Sequence, residues 1–283
     1  MKYAYYPGCT LRASYPHVDM SLKSVFRVLG VELVEIDDWN CCGSTAVENI
    51  NEAVSLALSA RNICLAAKIS DTMLTPCTEC LLQQRRVLYI MEQYPKVREK
   101  VLKVLEKVGL EWKPVKVVHP LEIVVNDIGL DKVKEKVKRD LSGIKVVPYY
   151  GCLITRPYGS EHPLYPTSMD ELFSALKAEV IDYPLKTKCC GATLTATGDE
   201  RGLSLVYQLL KDAKKRGGNV IVVPCTVCQF NLEVFQDKIS TMYGENVSIP
   251  VLYFTQLLGL ALGLSESELG IDKLLVPFSI SAR

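Results

Sequence analysis

The chain has 283 residues, 48% of them apolar and 23% charged, with 33 Lys and Arg against 32 Asp and Glu for a net charge of +1. That length accommodates one large domain or two medium ones, and the even charge balance argues against nucleic acid or an anionic membrane as partner. The most apolar late stretch, LLGLALGL (257–264), is too short to cross a bilayer, and MKYAYYPGC has no apolar leader pattern, so a cytoplasmic protein without membrane insertion is expected.

KYAYYP is a short β-rich run that ends at a Gly-Cys turn. A helix is predicted over roughly 18–30, with Asp19 and Ser21 as candidate caps, followed by ELVEI as a strand that runs into Cys41-Cys42. NEAVSLALSARNICLAAKI reads as a longer helix, TMLTP as a buried-type strand stopped by Pro76, and Cys77-x-x-Cys80 opens another helix. YPKVREKVLKVLEKVGLEWK (94–113) has the pattern of a solvated, charged helix with i,i+4 pairs, and VKVVHPLEIVVNDIGL that of a fourth strand and helix. RDLSG (139–143) is the expected seam, after which the order restarts: KVVPYY, MDELFSALKA, EVIDY, ERGLSLVYQLLKDAKKRG, NVIVVP, a second Cys-x-x-Cys helix and PVLYFTQLLGLALGL. Strands alternating with helices imply parallel sheets covered on both faces. The expected fold is therefore α/β, two pseudo-symmetric Rossmann-like repeats (1–143 and 144–283), with the cysteine motifs at the carboxyl ends of strands, where open α/β sheets bind ligands.

Eleven cysteines are present, and ten fall into two sets of five. The first is Cys9, Cys41-Cys42-Gly43 and Cys77-x-x-Cys80; the second is Cys152, Cys189-Cys190-Gly191 and Cys225-x-x-Cys228. Four of the five offsets between the sets equal 148, and the context repeats too: YYPGCT beside PYYGCL, TPCTEC beside VPCTVC. This is an internal duplication. The odd count, the missing leader and the clustering argue against a secreted disulfide framework and for metal or redox chemistry.

Cys-x-x-Cys at a helix start points two thiols to one side of the first turn, and the helix N-terminus favours the thiolate. Vicinal cysteines allow three readings: one ligand beside one core thiol, a vicinal disulfide, or two thiolates on neighbouring atoms of a polynuclear cluster. The glycine after each pair favours the third, since a residue without Cβ lets the backbone turn tightly and approach closely. The count agrees: structural zinc and an ordinary [4Fe–4S] cube take four ligands each, whereas each half offers five.

The doubled pattern C-x31-CC-x34-C-x2-C (x36 for the first gap of the second set), with glycine after each CC, resembles the CCG-domain proteins, specifically the B-type subunit of heterodisulfide reductase, over essentially the whole chain. The resemblance implies two non-cubane [4Fe–4S] clusters. Cys9, Cys41, Cys42, Cys77 and Cys80 would hold one, and Cys152, Cys189, Cys190, Cys225 and Cys228 the other. It further implies an iron–sulfur catalytic subunit in which a small disulfide substrate is cleaved or formed between the clusters, themselves the catalytic groups. Its partners would be a ferredoxin-like subunit with ordinary cubane clusters and the flavoprotein of the same heterodisulfide-reductase-like complex. Related CCG subunits serve quinone-linked complexes of succinate, lactate or glycolate type, and that role is the alternative. A zinc-bound scaffold and a metal-free dithiol enzyme also remain open.

Other residues carry weaker signals. His17 and His162 follow the first cysteine of each set by eight and ten residues, and Arg12 and Arg156 by three and four, which makes them candidates for substrate or cluster contacts. Cys64, within NICLA, reads as a buried structural thiol, His119 at VVHP as structural, and Tyr5, Tyr6, Tyr149 and Tyr150 as packing against the sheet.

Overall fold

A computed structural model describes residues 1–44 and 46–279. It contains two four-stranded sheets. The first comprises β1 (Lys2–Tyr5), β2 (Glu32–Glu35), β3 (Thr72–Leu74) and β4 (Lys116–Val118) in the order β2-β1-β3-β4. The second comprises β5 (Lys145–Pro148), β6 (Glu179–Val180), β7 (Val220–Val223) and β8 (Val251–Tyr253) in the order β6-β5-β7-β8. Every pairing is parallel, with Ala4 opposite Met73 and Val146 opposite Val220. The central strands are buried on both faces, as VIVV of β7 shows, which is why they read as apolar runs without alternation.

In each sheet the strand order reverses between the first and third strands of the half, and that point is where a doubly wound sheet opens a crevice. Cys9 follows β1, Cys41 and Cys42 follow β2, and Cys77 and Cys80 begin the helix Thr78–Gln93 after β3. Cys152, Cys189-Cys190 and Cys225/Cys228 repeat this placement around β5, β6 and the helix Thr226–Val234.

Local differences from the sequence reading have clear causes. The first long helix spans Pro16–Val28, because Pro16 occupies its first turn with φ already set, so Asp19 and Ser21 are not caps. They sit inside the helix: Asp19 accepts the Tyr5 hydroxyl at 2.5 Å, and the Ser21 hydroxyl meets that of Thr255 at 2.7 Å. The charged helix covers only Pro95–Lys107; it carries the Glu99–Lys103 pair but also buries Val101 and Leu105. After β4 a short turn, Pro120–Glu122, passes into a π-helical stretch, Ile123–Gly129, and then Leu130–Glu135.

The halves exchange helices. Pro16–Val28, following β1, packs on Phe254–Ala261, following β8. Reciprocally, Ser168–Ala175, following β5, packs on the segments after β4. One apolar cluster accordingly joins Tyr5, Leu22, Phe26 and Val124 to Leu172, Phe173, Tyr253 and Leu257, while a second, around Ala4, Tyr6, Ile63 and Met73, is built almost wholly from the first half.

Candidate functional site

In each half the fold gathers five cysteines into one connected group. The thiols influence one another in the order Cys9–Cys41–Cys42–Cys80–Cys77 in the first and Cys152–Cys189–Cys190–Cys228–Cys225 in the second. Cys228 Sγ lies 3.5 Å from Cys190 Sγ, and the Cys228 N–H donates to Cys225 Sγ at 3.4 Å. Cys42, Cys77, Cys80, Cys190, Cys225 and Cys228 are buried, whereas Cys9, Cys41 and Cys189 are exposed and Cys152 is half-buried. Each cradle therefore has a closed floor and an open lip.

Backbone placement makes this convergence work. Gly8 and Gly151 precede the first cysteine of each set with φ of +73° and +71°, and a Cβ there would stand 3.3 Å from Cys80 Sγ and 3.1 Å from Cys228 Sγ. Gly43 and Gly191 also have positive φ, but a Cβ on them would meet Ser55 and Leu205 at 3.0 Å. Their role is to seat the CCG turn on the helix behind it. The phenol of Tyr6 donates to the carbonyl of Asn40 at 2.9 Å, and that of Tyr149 to the carbonyl of Lys188 at 2.6 Å. Those carbonyls immediately precede the two vicinal pairs, so these tyrosines pin the CCG loops besides packing against the sheet. The Cys42 carbonyl is held by Ser59 at 2.7 Å and that of Cys190 by Asn231 at 2.8 Å.

The electrostatics of the two vicinal pairs match. Hydrogen bonds from Cys42 and Cys9, with the Gly43 N–H, pull the Cys41 thiol down to about 2. Cys152 and Cys190, with the Gly191 N–H at 3.3 Å and the charge of Arg156, do the same for Cys189, also to about 2. Cys190 is pushed up to about 12 by its bond to Cys189, and bonds to neighbouring thiols together with burial raise Cys80 and Cys228. The bond to Cys228 pulls Cys225 down, so in the second cradle protons are held on Cys152, Cys190 and Cys228. Soft, polarisable metal centres would replace those protons and draw the sulfurs in as thiolates.

Among the described residues, no group of three or more His, Cys, Asp or Glu is spaced as it stands to hold a single metal ion. Five soft donors on a backbone cleared by glycine fit a polynuclear iron–sulfur group, and they exceed the four ligands that a structural zinc takes.

The remaining sequence candidates divide. Arg156 donates to the carbonyls of Thr187 at 2.9 Å and Pro163 at 3.0 Å, and its charge acts on Cys189. Arg12 pairs with Glu35 and lies 3.9 Å from Asp19. His17 is buried against the ring of Tyr15, and His162 accepts the N–H groups of Leu164 and Tyr165 within its own loop. Cys64 is a buried helix thiol, as its apolar context suggested.

The two cradles face each other. Thr78 of the first Cys-x-x-Cys lies close enough to lower the Cys225 thiol of the second, and Glu79 lies close enough to Cys189 for their charges to interact. Between the two loops sits His119, fully buried, with Nε2 at 3.1 Å from the Pro76 carbonyl and 2.8 Å from that of Pro224. Its place at the end of β4, remote from every cysteine in sequence, gives no sign of this.

Residues 3–85 and 146–233 each match the cysteine-rich domain family CCG. The 8-methylmenaquinol:fumarate reductase membrane anchor subunit of Wolinella succinogenes is 30% identical over 96% of this chain and 95% of its own length. The B-type subunit of the ferredoxin/F420H2-dependent CoB-CoM heterodisulfide reductase of Methanosarcina acetivorans is 30% identical over 96% of this chain and 93% of its own. A protein of Archaeoglobus profundus described as like the B-type subunit of heterodisulfide reductase is 29% identical over 95% and 93%. The crystal structure of a hypothetical protein from Helicobacter pylori shares the fold with a TM-score of 0.79 at 15% identity, across 98% of this chain and 52% of that one, so this chain spans about half of it. With the motif present in both halves and its cysteines gathered in both, the chain belongs to the cysteine-rich CCG domain family and carries the domain twice.

Proposed function

We propose that this chain is an iron–sulfur subunit of a heterodisulfide-reductase-like complex, cleaving or forming a disulfide between two non-cubane [4Fe–4S] clusters. The observation that carries this reading is the convergence of five thiols at the switch point of each sheet, in two groups that face one another. Cys9, Cys41, Cys42, Cys77 and Cys80 would hold one cluster within repeat 1–143, and Cys152, Cys189, Cys190, Cys225 and Cys228 the other within repeat 144–283. When bound, such clusters supply one-electron transfer. Cleaving a disulfide consumes two electrons and two protons and yields two thiols, so two one-electron centres suffice for one turnover.

The chain's own part is to orient and to shield. The buried floor keeps water from Cys80 and Cys228, while the lips at Cys41 and Cys189 stay open to a small molecule. Arg156 adds positive charge at the second lip, which suits an anionic thiol compound. A ferredoxin-like protein and a flavoprotein of the same complex would exchange electrons with it.

A second reading has its own support. A relative of equal identity is named as part of a menaquinol:fumarate reductase, so a quinone-linked electron-transfer role is the alternative. No helix among the described residues is long and apolar enough to cross a membrane.

Iron and acid-labile sulfide should be measured on anaerobically purified chain, with EPR. About eight of each per chain supports two clusters, and spectra unlike an ordinary cube support the five-cysteine form. Zinc without sulfide would overturn the redox reading. Oxidation of the reduced protein by a panel of disulfides, set against menaquinone analogues, then separates the two roles.

A further inference from the structure

We propose that His119, with Tyr253 as its counterpart, is a positioning residue that fixes the separation of the two Cys-x-x-Cys loops and hence of the two cradles. The hydrogen bonds settle the tautomer: Nδ1 accepts the Leu121 N–H at 3.1 Å, so Nε2 carries the proton and donates to the carbonyls of Pro224 and Pro76. Each of these prolines immediately precedes the first cysteine of a Cys-x-x-Cys motif. One N–H therefore spans two loops that lie 148 residues apart in sequence. Burial holds the imidazole neutral down to about pH 3, which keeps the same proton on the same nitrogen throughout the working range.

Tyr253 completes the arrangement from the other side. It ends β8 as His119 follows β4, and at the start of each following helix the side chain of Glu122 or Gln256 accepts the backbone N–H of that residue, at 3.2 Å from His119 and 2.9 Å from Tyr253. His119 reaches across to Pro224 at 2.8 Å, and the Tyr253 phenol reaches across to Pro76 at 2.9 Å. The end of each fourth strand thus donates to the opposite half's cysteine loop. Thr78 of the first loop also stands close enough to Cys225 of the second to lower its thiol. A buried histidine that merely satisfied itself would need one carbonyl; this one holds a carbonyl from each half.

The redox consequence rests on the cluster reading above, since two one-electron centres acting on one molecule must keep a set distance. The clamp itself does not, which allows the two to be tested apart. Full-length wild type, His119→Gln, His119→Phe and Tyr253→Phe are compared by hydrogen–deuterium exchange of peptides covering 76–84 and 224–232, alongside iron content and the magnetic interaction between centres in EPR. Loss of a buried hydrogen bond speeds local exchange by roughly ten- to a hundredfold. His119→Phe is expected to loosen both segments together while the strands keep their protection, and to change the EPR interaction at unchanged iron content. His119→Gln, which keeps an N–H, is expected to restore both readouts substantially. Tyr253→Phe is expected to loosen 76–84 alone. Loosening in one segment only for His119→Phe, loosening throughout the protein, or equal behaviour of Gln and Phe would overturn the proposal. Should His119→Phe fail to fold, His119→Gln and Tyr253→Phe decide it: wild-type exchange in 76–84 for Tyr253→Phe sinks it. Coupled loosening in a chain that holds no iron would leave the clamp standing and remove the cluster reading.

Discussion

A Cβ on Gly151 would stand 3.1 Å from the sulfur of Cys228, and Gly8 bears the same relation to Cys80 at 3.3 Å. Both glycines also occupy positive φ, where an L side chain costs about 1–2 kcal/mol. Gly151→Ala should therefore lower stability by about that amount and displace Cys228 from its cradle. The expected result is loss of about half of the iron per chain, with the same loss for Gly8→Ala and nearly all of it for the double variant. Metal analysis and thermal melting of the three proteins check this. Full iron occupancy in the double variant would show that the close approach is dispensable.

Asn231 donates to the Cys190 carbonyl and accepts the Thr195 hydroxyl at 2.5 Å, all within the wall of the second cradle. Asn231→Leu leaves that carbonyl without a partner, a cost of about 1–3 kcal/mol, while the Thr195 hydroxyl keeps its bond to the Ala192 carbonyl at 2.9 Å. Urea denaturation should register the loss at pH 7. Ser59→Ala, which strips the equivalent bond from Cys42, should act on the first cradle alone, so the two substitutions should add.

The lips should be the reactive part of the metal-free, reduced chain. Cys41 and Cys189 are exposed, and both are held as thiolates by neighbouring thiols and by a glycine N–H. Cys190 is buried and titrates near 12. Brief alkylation with iodoacetamide at pH 6, read by peptide mass spectrometry, should label Cys41 and Cys189 first and Cys42, Cys80, Cys190 and Cys228 last. Arg156 is the smallest of the influences on Cys189, and a thiol held at about 2 stays ionised at pH 6 without it, so Arg156→Gln should leave labelling at Cys189 and at Cys41 unchanged.

Acid should weaken the fold through two histidines. Burial lowers His17 from 6.5 to about 4, with Lys273 adding to the shift and Asp272 opposing it, and lowers His119 to about 3 against the opposing bonds to the Pro76 and Pro224 carbonyls, with Arg85 adding. Above pH 6.5 neither state binds the proton and the full stability is present. As pH falls, the unfolded chain takes up protons that the native chain refuses, so each histidine removes up to about 1.4 kcal/mol per pH unit until its folded value is reached. Unfolding free energies measured between pH 7 and 5 should slope accordingly, and His17→Asn should flatten the slope by up to half.

Strands and cysteine positions were legible because each has a local cause. VIVV and KVVP are apolar runs that only a two-faced parallel sheet can bury, and Pro76 and Pro224 stop a strand wherever they occur. The 148-residue repeat placed ten thiols at corresponding strand ends without any knowledge of contacts. What stayed hidden depends on the partner half. Asp19 and Ser21 look like caps until Tyr5 and Thr255 claim their oxygens. Tyr6 and Tyr149 look like core until their hydroxyls are seen on the carbonyls before each vicinal pair. His119 sits in an ordinary VVHP, and only the meeting of two loops from different halves gives it a role. Histidine and arginine spacing from the first cysteine selected one residue that acts on a thiol, Arg156, and three whose contacts lie elsewhere, because loop length alone does not fix the direction of a side chain.

The reciprocal helix exchange gives the molecule the layout of a homodimer written on a single chain. In a true homodimer any substitution on the dyad appears twice, so the axis can carry only self-compatible residues. Joining the copies lifts that restriction. His119 can face Tyr253, and Glu79 can occupy the place that Val227 holds in the other loop, although the cysteines on either side are unchanged. Two chemically similar sulfur cradles can then have different surroundings. That difference gives a molecule placed between them an inherent front and back, which two separate, identical protomers could not provide.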